Sequence, residues 1–344
     1  MSAPARLPLA LTLGEPAGIG PDLTLAVWRQ RRELDLPPFY VVGDAGFLKQ
    51  RAGRLGLDVA FAEVAPDEAN AAFARALPVV PLGLPVTAEP GAPDDSSAPA
   101  VIASIRRAVA DVMAERAAAV VTNPIAKSVL YRAGFTDPGH TEYLARLCEQ
   151  ATGRPVMPVM LLWSPELAVV PVTIHIALKD VIAQLTSDLI VETGRIVARD
   201  MAARFRLPRP RLAVAGVNPH AGEHGTLGVE DETIVRPAVE RLKAEGIDAR
   251  GPLSADTLFH TRARAAYDVA LCMYHDQALI PIKTLAFDHG VNVTLGLPFV
   301  RTSPDHGTAF GLAGSGTANP ASLVAAIKLA ARLSATEAAL ATAK

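Results

Sequence analysis

Residues Leu9 to Glu33 read LALTLGEPAGIGPDLTLAVWRQRRE and carry the pattern that decides the fold. The short apolar run Leu9 to Leu13 predicts a buried strand. The segment from Pro21 to Glu33 opens on a proline and predicts a helix. Gly14 to Pro21, GEPAGIGP, joins the two. A strand, a glycine-rich turn and a helix in this order form the unit from which α/β folds are built.

The same alternation of short apolar runs and amphipathic stretches continues along the chain, which predicts parallel strands joined by crossover helices. Further strands are predicted at Phe39 to Val42, Pro78 to Pro81, Ala118 to Val121, Val156 to Leu162, Ala168 to Pro171, Arg211 to Gly216, Val269 to Met273 and Val291 to Leu295. Further helices are predicted at Ala98 to Arg116, Thr141 to Ala151, Asp188 to Phe205, Val229 to Glu245 and Ala321 to Ala341.

The composition is that of a globular protein with a substantial core. A chain of 344 residues usually needs about two domains, and its 50% hydrophobic and 20% charged residues argue against disorder. The formal net charge of -2 gives no overall attraction to nucleic acid or anionic membranes. We therefore expect neither as a partner.

Cysteine content and hydropathy predict a cytoplasmic location. Cys148 and Cys272 are the only cysteines, too few for a disulfide framework. The N-terminal segment lacks a convincing secretory cleavage pattern. The longest apolar region, Val156 to Leu178, is broken by prolines and charged residues, so two buried strands joined at Ser164 and Pro165 are expected there instead of a spanning helix.

Two interpretations of GEPAGIGP stay open. A turn between a strand and a helix often presents backbone N–H groups to an anion. The spacing is not that of the dinucleotide GxGxxG motif, and the lysine of a P-loop is absent. The alternative is a tight turn that needs glycine for its backbone angles.

Three histidines are candidate ligands of a divalent metal ion. His175, His220 and His275 each follow a predicted strand, where α/β enzymes place their ligands. Three neutral imidazoles leave an open coordination position on zinc or a similar ion, as a catalytic site requires. Asp276 is a candidate to orient one of these imidazoles. Taken singly, each histidine is better explained as a hydrogen-bonded loop residue, and their separation is too large for a local metal motif.

Six segments resemble the 4-hydroxythreonine-4-phosphate dehydrogenase family of pyridoxal phosphate biosynthesis over essentially the whole chain. They occur in the family's order and are long enough to be specific. The segments are GEPAGIGPD (Gly14 to Asp22), GHTEYL (Gly139 to Leu144), GVNPHAGE (Gly216 to Glu223), GPLSADTLF (Gly251 to Phe259), MYHDQALIPIK (Met273 to Lys283) and GVNVTLGLPFVRTSPDHGTA (Gly290 to Ala309).

The resemblance implies two α/β/α domains with a cleft between them, similar to isocitrate and isopropylmalate dehydrogenases. The implied domains are residues 1–122 with 304–344, and residues 123–303, which carry the metal ligands and the dimer contacts. It also implies a homodimer whose active site is shared across the interface. NAD, or NADP, would bind without a Rossmann fingerprint, and the residues that bind it are not identified.

The same resemblance implies roles for individual residues. His175, His220 and His275 would hold one divalent ion, for which zinc, magnesium and cobalt are candidates. Residues matching substrate contacts of the family are His140, Thr141, Lys283, Asn292 and Arg301. Lysine and arginine suit a phosphate ester, and asparagine can orient a hydroxyl or carboxylate. Lys283, expected at a strand-loop junction after Pro281, would either bind phosphate or act catalytically in proton transfer.

One segment, TNPIAKSVLYRAGF (Thr122 to Phe135), matches the family more loosely. Asn123 and Ala126 stand where the biosynthetic enzymes often carry glycine and histidine. Lys127 keeps the outline of the loop and is a further candidate site residue without an assigned role.

The implied reaction is NAD-dependent oxidation of the C3 hydroxyl of 4-phosphohydroxy-L-threonine. The product, 2-amino-3-oxo-4-(phosphooxy)butanoate, loses carbon dioxide to give 3-amino-2-oxopropyl phosphate. A metal ion suits both steps, because a Lewis acid favours ionisation of a hydroxyl and polarises a ketone.

Three alternatives stay open. A sister activity would oxidise 4-phospho-D-threonate or 4-phospho-D-erythronate in sugar-acid catabolism. A metal-dependent hydrolase would use the same histidines to activate water, with Glu223 as the nearest carboxylate after His220. A pure binding protein would bind metal and phosphate without forming NADH.

Overall fold

The structure is a computed structural model that describes residues 6–342. Within this range the strands are β1 (Leu9–Thr12), β2 (Phe39–Gly43), β3 (Phe61–Glu63), β4 (Leu77–Pro81), β5 (Val120–Val121), β6 (Val159–Trp163), β7 (Ala168–Pro171), β8 (Leu212–Ala215), β9 (Ala249–Leu253), β10 (Val269–Cys272), β11 (Val291–Leu295) and β12 (Arg301–Pro304). The helices are α1 (Gly20–Arg29), α2 (Ala45–Arg54), α3 (Ala69–Phe73), α4 (Ala98–Met113), α5 (Lys127–Arg132), α6 (His140–Thr152), α7 (Val181–Gln184), α8 (Ser187–Arg204), α9 (Arg236–Ala244), α10 (Thr261–Arg264), α11 (His275–Ala286) and α12 (Ala321–Thr342).

These elements confirm the predicted α/β class. They fall into two compact units. The first runs through Pro158 and continues from Leu297 to Ala338; the second spans Val159–Gly296, together with the chain from residue 339. Within residues 6–342, no helix combines the length and the apolar character needed to cross a membrane.

The first unit contains a parallel sheet in the order β3-β4-β2-β1-β5-β12. One hydrophobic cluster packs α4 and α6 against this sheet, and it includes Tyr40, Ile105, Tyr143 and Phe299 at 8% exposure or less. Because this cluster takes in Tyr143 of α6 as well as Phe299, the unit extends past the domain limits expected at 122 and 304. Residues 1–5 and 343–344 of the expected domains lie outside the described residues.

The second unit contains a mixed sheet in the order β11-β6-β7-β10-β8-β9. Strands β7, β10, β8 and β9 run parallel, whereas β6 pairs antiparallel with both β7 and β11. The expectation of parallel strands alone is therefore wrong for this part. The turn between β6 and β7 lies where it was predicted, and the Ser164 hydroxyl closes it by accepting hydrogen bonds from the N–H groups of Glu166 and Leu167.

All nine predicted strands are present, with ends that differ by a few residues, but β3, β9 and β12 were missed. β3 has three residues, none of them fully buried. β9 contains Gly251 and Pro252, both poor strand formers. β12 reads RTSP, which is polar, yet all four residues are buried. In each case pairing with a neighbouring strand overrides a weak local preference.

The expected strand-loop junction at Lys283 is wrong, because this residue lies on α11, which runs through Pro281. Proline inside a helix removes one backbone hydrogen bond and usually interrupts the helix. Here Leu279, Ile282 and Ala286 pack into the second unit's hydrophobic cluster, and this burial stabilises the helix on both sides of the proline.

Candidate active site

The three candidate metal-binding histidines follow three adjacent strands of the second unit. β7, β10 and β8 are neighbours and run parallel, so their carboxyl ends lie at one edge of the sheet. His175 comes shortly after β7, His275 directly opens α11 after β10, and His220 follows β8. The predicted placement of these residues at strand ends is confirmed.

His175 and His275 lie together. Their ring centroids are 5.6 Å apart with the ring planes inclined at 43°. The Nδ1 atom of His275 lies 2.7 Å from Oδ1 of Asp276, in the orienting role considered for this carboxylate. A carboxylate that holds one ring nitrogen of a histidine fixes the tautomer and leaves the other nitrogen as a metal ligand.

Two cavities adjoin His275. One, of about 270 Å³, also includes His175 in its lining; the other, of about 420 Å³, includes Lys283. The α11 helix therefore presents a histidine and a lysine to the same cavity, although the two residues lie on different turns. The Lys283 Nζ atom also lies 5.7 Å from the centre of the Phe287 ring.

His220 lies on a strained turn, Pro219–Gly225. Five successive residues, His220 to His224, have positive φ angles, although only Gly222 among them is a glycine. The buried carboxylate of Asp231 anchors the start of this turn, since it accepts hydrogen bonds from the N–H groups of Val217 (2.8 Å) and Asn218 (3.0 Å). Strained backbone of this kind persists only where the surroundings hold it, and it is frequent at functional sites.

The His220 side chain is exposed. The pKa of the nearby Asp256 carboxyl is lowered mainly by its hydrogen bond from Ser254, and His220 makes a smaller electrostatic contribution in the same direction. Within residues 6–342, no group of three or more His, Cys, Asp or Glu side chains is arranged to hold a metal ion. The described chain thus brings two of the predicted ligands together and leaves His220 outside that pair.

A second group of predicted site residues lies in the first unit, at the start of α6. Gly139 precedes the helix in an extended conformation, and His140 and Thr141 form its first residues. Lys127 lies close to Gly139: a Cβ atom added to this glycine would lie 3.2 Å from the Lys127 Nζ. The structure therefore places Lys127, a further candidate site residue, beside the start of α6. Its place in the loosely matched loop was the only signal for it in the sequence.

Arg301 contributes a buried positive charge to this group. Its side chain is 4% exposed, and its Nε and Nη2 atoms donate hydrogen bonds of 3.1 and 2.6 Å to the hydroxyl of Thr122, the residue after β5. Burial lowers the pKa of Arg301 to about 10, against a smaller opposing effect of Glu142. At neutral pH the guanidinium therefore remains charged.

The imidazole of His140 lies within electrostatic range of two positive charges, those of Arg301 and Lys127. Its Nε2 atom is buried without a hydrogen-bond partner. Burial lowers the pKa of His140 well below its usual value, and the charges of Arg301 and Lys127 lower it further. Two cations, a neutral imidazole and the N-terminus of a helix suit an anionic group that accepts several hydrogen bonds.

Asn292 lies on β11 in the second unit and is half-buried. Its Oδ1 atom is buried and has no partner within the described chain. A polar atom left in this state costs free energy unless a ligand or water satisfies it.

Several backbone N–H groups of the GEPAGIGP turn donate hydrogen bonds to carbonyl groups of the protein itself. The N–H groups of Glu15 and Ile19 donate to the carbonyls of Pro124 and Thr308, and the Gly18 N–H donates to Glu15. Gly14 has φ +71°, and a Cβ atom there would lie 2.5 Å from the Cβ of Asn123. These contacts support the tight-turn interpretation over an anion site.

Comparison with known proteins points to one family. The sequence model of the family described as pyridoxal phosphate biosynthetic protein PdxA matches residues 35–330. A protein of Bradyrhizobium diazoefficiens, named 4-hydroxythreonine-4-phosphate dehydrogenase, is 64% identical over 97% of this chain and 99% of its own. A protein of Xanthobacter autotrophicus with the same name is 66% identical over 99% of this chain and 97% of its own.

Solved structures agree with this result. The crystal structure of 4-hydroxythreonine-4-phosphate dehydrogenase from Klebsiella pneumoniae superposes with a TM-score of 0.84 at 36% sequence identity. The match covers 97% of this chain and 99% of the Klebsiella chain.

Proposed function

Because the chain belongs to the pyridoxal phosphate biosynthetic protein PdxA family, we propose that it oxidises 4-phosphohydroxy-L-threonine at its C3 hydroxyl with NAD. The product, 2-amino-3-oxo-4-(phosphooxy)butanoate, then loses carbon dioxide to give 3-amino-2-oxopropyl phosphate. The structural observation that carries this proposal is the pairing of His175 with His275 at the sheet edge.

The paired imidazoles fit a divalent metal ion. They supply nitrogen donors that zinc and cobalt accept, and Asp276 orients one of them. A bound ion would supply Lewis-acid assistance to oxidation of the hydroxyl and to decarboxylation, while NAD or NADP accepts the hydride. His175, His220 and His275 remain the proposed ligands.

The cluster around α6 suits the phosphate end of the substrate. Arg301 and Lys127 supply positive charge, and Arg301 can donate in the forked geometry that phosphate oxygens accept. His140 and Thr141 add hydrogen-bonding groups at the helix N-terminus. A neutral His140 can donate one hydrogen bond without adding a further charge beside the two cations.

Two residues of the second unit carry polar groups that suit a phosphorylated hydroxy acid. Asn292 has an unsatisfied Oδ1 that can accept from a hydroxyl or amine. Lys283 shares a cavity with His275, and this position suits proton transfer near the metal ion as well as charge pairing with phosphate.

We further propose a homodimer in which the partner completes the site. Four large apolar side chains are exposed on the segments that follow His175 and His275: Leu178 (71%), Ile182 (41%), Ile280 (64%) and Phe287 (73%). Ile280 lies on α11 and Phe287 is the C-cap residue of that helix, seven positions later, so both lie on one face of it. Exposed apolar groups of this size around a ligand set that one chain leaves incomplete suit a subunit interface.

The dimer proposal is tested by the double variant Ile280→Lys/Phe287→Lys. Placing two cations on the apolar face should yield monomers in sedimentation or light-scattering measurements and weaken metal binding. The control is Leu340→Lys, at an apolar position on α12 that is 43% exposed, and this variant should leave the dimer intact. A double variant that stays dimeric with full metal affinity would contradict the shared site.

The reaction is tested by NADH formation. Purified enzyme loaded with a divalent ion should reduce NAD with 4-phosphohydroxy-L-threonine and release carbon dioxide. A strong preference for the 4-phospho-D-threonate or 4-phospho-D-erythronate ester would instead establish the catabolic activity, which the names of the relatives do not favour. Hydrolysis of a phosphorylated ester without NAD would identify a metal hydrolase, and binding without turnover would identify a binding protein.

We also propose a cytoplasmic location. Cys148 and Cys272 are buried free thiols, which suits a reducing compartment.

We propose that the second unit provides metal binding and the dimer contacts, because it carries all three histidines and α11.

A further inference from the structure

The side chain of Gln277 connects two of the histidine loops. Gln277 lies in the first turn of α11 and is 9% exposed. Its Oε1 atom accepts a hydrogen bond of 2.6 Å from the Met273 N–H, and its Nε2 atom donates one of 2.7 Å to the Gly216 carbonyl. A primary amide offers a donor and an acceptor on one planar group, so a single side chain satisfies both backbone groups.

Each backbone group held by Gln277 lies close to a proposed metal ligand. Met273 precedes His275 by two residues, and Gly216 precedes His220 by four. Gly216 is itself confined, because its N–H donates to Leu253 (2.7 Å) and an added Cβ atom would lie 2.7 Å from the Cα of Ala221. A shift of Gln277 therefore changes the position of one loop against the other.

The third histidine loop joins the same network through Met273. The Met273 carbonyl accepts a hydrogen bond of 2.7 Å from the hydroxyl of Thr173, which precedes His175 by two residues. Both backbone groups of Met273 are thus held by side chains, one from each neighbouring segment. Networks of this kind fix geometry because every member is satisfied.

We infer that Gln277 is a positioning residue for metal binding, which sets the separation of the loops that carry His220 and His275. The inference rests on the proposed metal site. The inference holds whether His220 and His275 bind the same ion or two different ions of a dimer, because Gln277 fixes both loops within one chain. Side chains that orient metal ligands are commonly worth about 10- to 100-fold in metal affinity.

The test compares Gln277→Met with Tyr267→Phe in the whole chain. Methionine has a similar length and removes both hydrogen bonds. Tyr267 is also buried, and its hydroxyl donates a 3.0 Å hydrogen bond to the Leu258 carbonyl, so phenylalanine removes a comparable buried donor outside the histidine loops. Gln277→Glu provides a second variant, which keeps the acceptor for Met273 but places an oxygen against the Gly216 carbonyl.

The measurements are the dissociation constant for Co²⁺, from competition with a chromophoric chelator, and the visible spectrum of the Co²⁺-loaded protein. Melting temperatures of the metal-free variants report the purely structural cost. We expect both Gln277 variants to bind Co²⁺ about 10-fold or more weakly with an altered spectrum. Tyr267→Phe should lose melting temperature but keep the wild-type affinity and spectrum.

If both Gln277 variants bound Co²⁺ with the affinity and spectrum of the wild-type protein, the proposed metal site would stand but the positioning role of Gln277 would be overturned. Equal weakening in Tyr267→Phe would also overturn it, because the effect would then follow general stability. A wild-type protein that binds no divalent ion would contradict the proposed metal site, and the inference with it.

Discussion

The imidazole rings of His175 and His275 lie 5.6 Å apart between centroids, on loops that follow the neighbouring parallel strands β7 and β10. This proximity results from strand pairing, since the two residues are remote in sequence. The hydrogen bonds from Thr173 to the Met273 carbonyl hold the two loops in this position.

His275→Ala should abolish metal binding and activity together. We expect the affinity for Co²⁺ or Zn²⁺ to fall by more than about 100-fold, because even the groups that orient metal-bound histidines are worth about 10- to 100-fold. His260→Ala is the matched control, since His260 is exposed and caps α10 by accepting a hydrogen bond from the Ala263 N–H. Metal analysis and NADH formation check both. Full activity of His275→Ala with bound metal would remove the proposed site.

Arg301→Lys should weaken binding of the phosphorylated substrate. Lysine keeps the charge but loses the forked pair of donors to Thr122, so the side chain cannot hold the same orientation. We expect KM to rise about 10- to 100-fold, which corresponds to one or two charge-assisted hydrogen bonds.

The control for this variant is Arg132→Lys, at an exposed residue that pairs with Asp95 on the surface. Surface pairs of this kind contribute little, so its KM should be unchanged. Steady-state kinetics separate KM from kcat. An Arg301→Lys enzyme with unaltered KM would exclude this guanidinium from substrate recognition.

His140 should remain neutral well below its usual pKa of about 6.5. Because the folded-state pKa is lowered, the unfolded chain binds this proton more readily. The stability associated with neutral His140 is therefore complete above about pH 6.5 and declines as the pH falls below that value. His140→Gln should flatten this part of the dependence of the free energy of unfolding on pH, as measured by urea titration. Identical pH profiles for the two proteins would show that the imidazole is not desolvated.

Gly222→Ala should destabilise the protein more than Gly246→Ala. Both glycines have positive φ angles, +76° and +82°, but an added Cβ at Gly222 would lie 2.9 Å from the Gly228 carbonyl oxygen, whereas Gly246 has open space. Backbone strain alone should cost each variant about 1 kcal/mol. Crowding should add about 1 to 3 kcal/mol at Gly222.

Denaturant titration compares the two glycine variants, and Co²⁺ binding reports whether the turn that carries His220 has moved. We expect weaker binding only in Gly222→Ala. Equal stabilities of the two variants would show that the turn relaxes to accept the methyl group.

The local pattern of the sequence was sufficient to predict the α/β class, the strand ends that carry the histidines and the turn at Ser164. These features depend on short-range rules of hydrophobic period and turn chemistry. The family was also identifiable from motifs, because long segments such as MYHDQALIPIK recur in a fixed order. The polar strand β12 and the passage of α11 through Pro281 were not predictable, since burial against distant residues decides them.

The sequence by itself determined which residues were candidates: three histidines after strands, and a histidine, a threonine, a lysine, an asparagine and an arginine in matched motifs. Only the tertiary structure decided which of them meet. It paired His175 with His275, left His220 on a strained turn, and brought Lys127 to His140 and Arg301. The physical reason is that strand order and helix packing, which set these distances, depend on contacts between residues far apart in the chain.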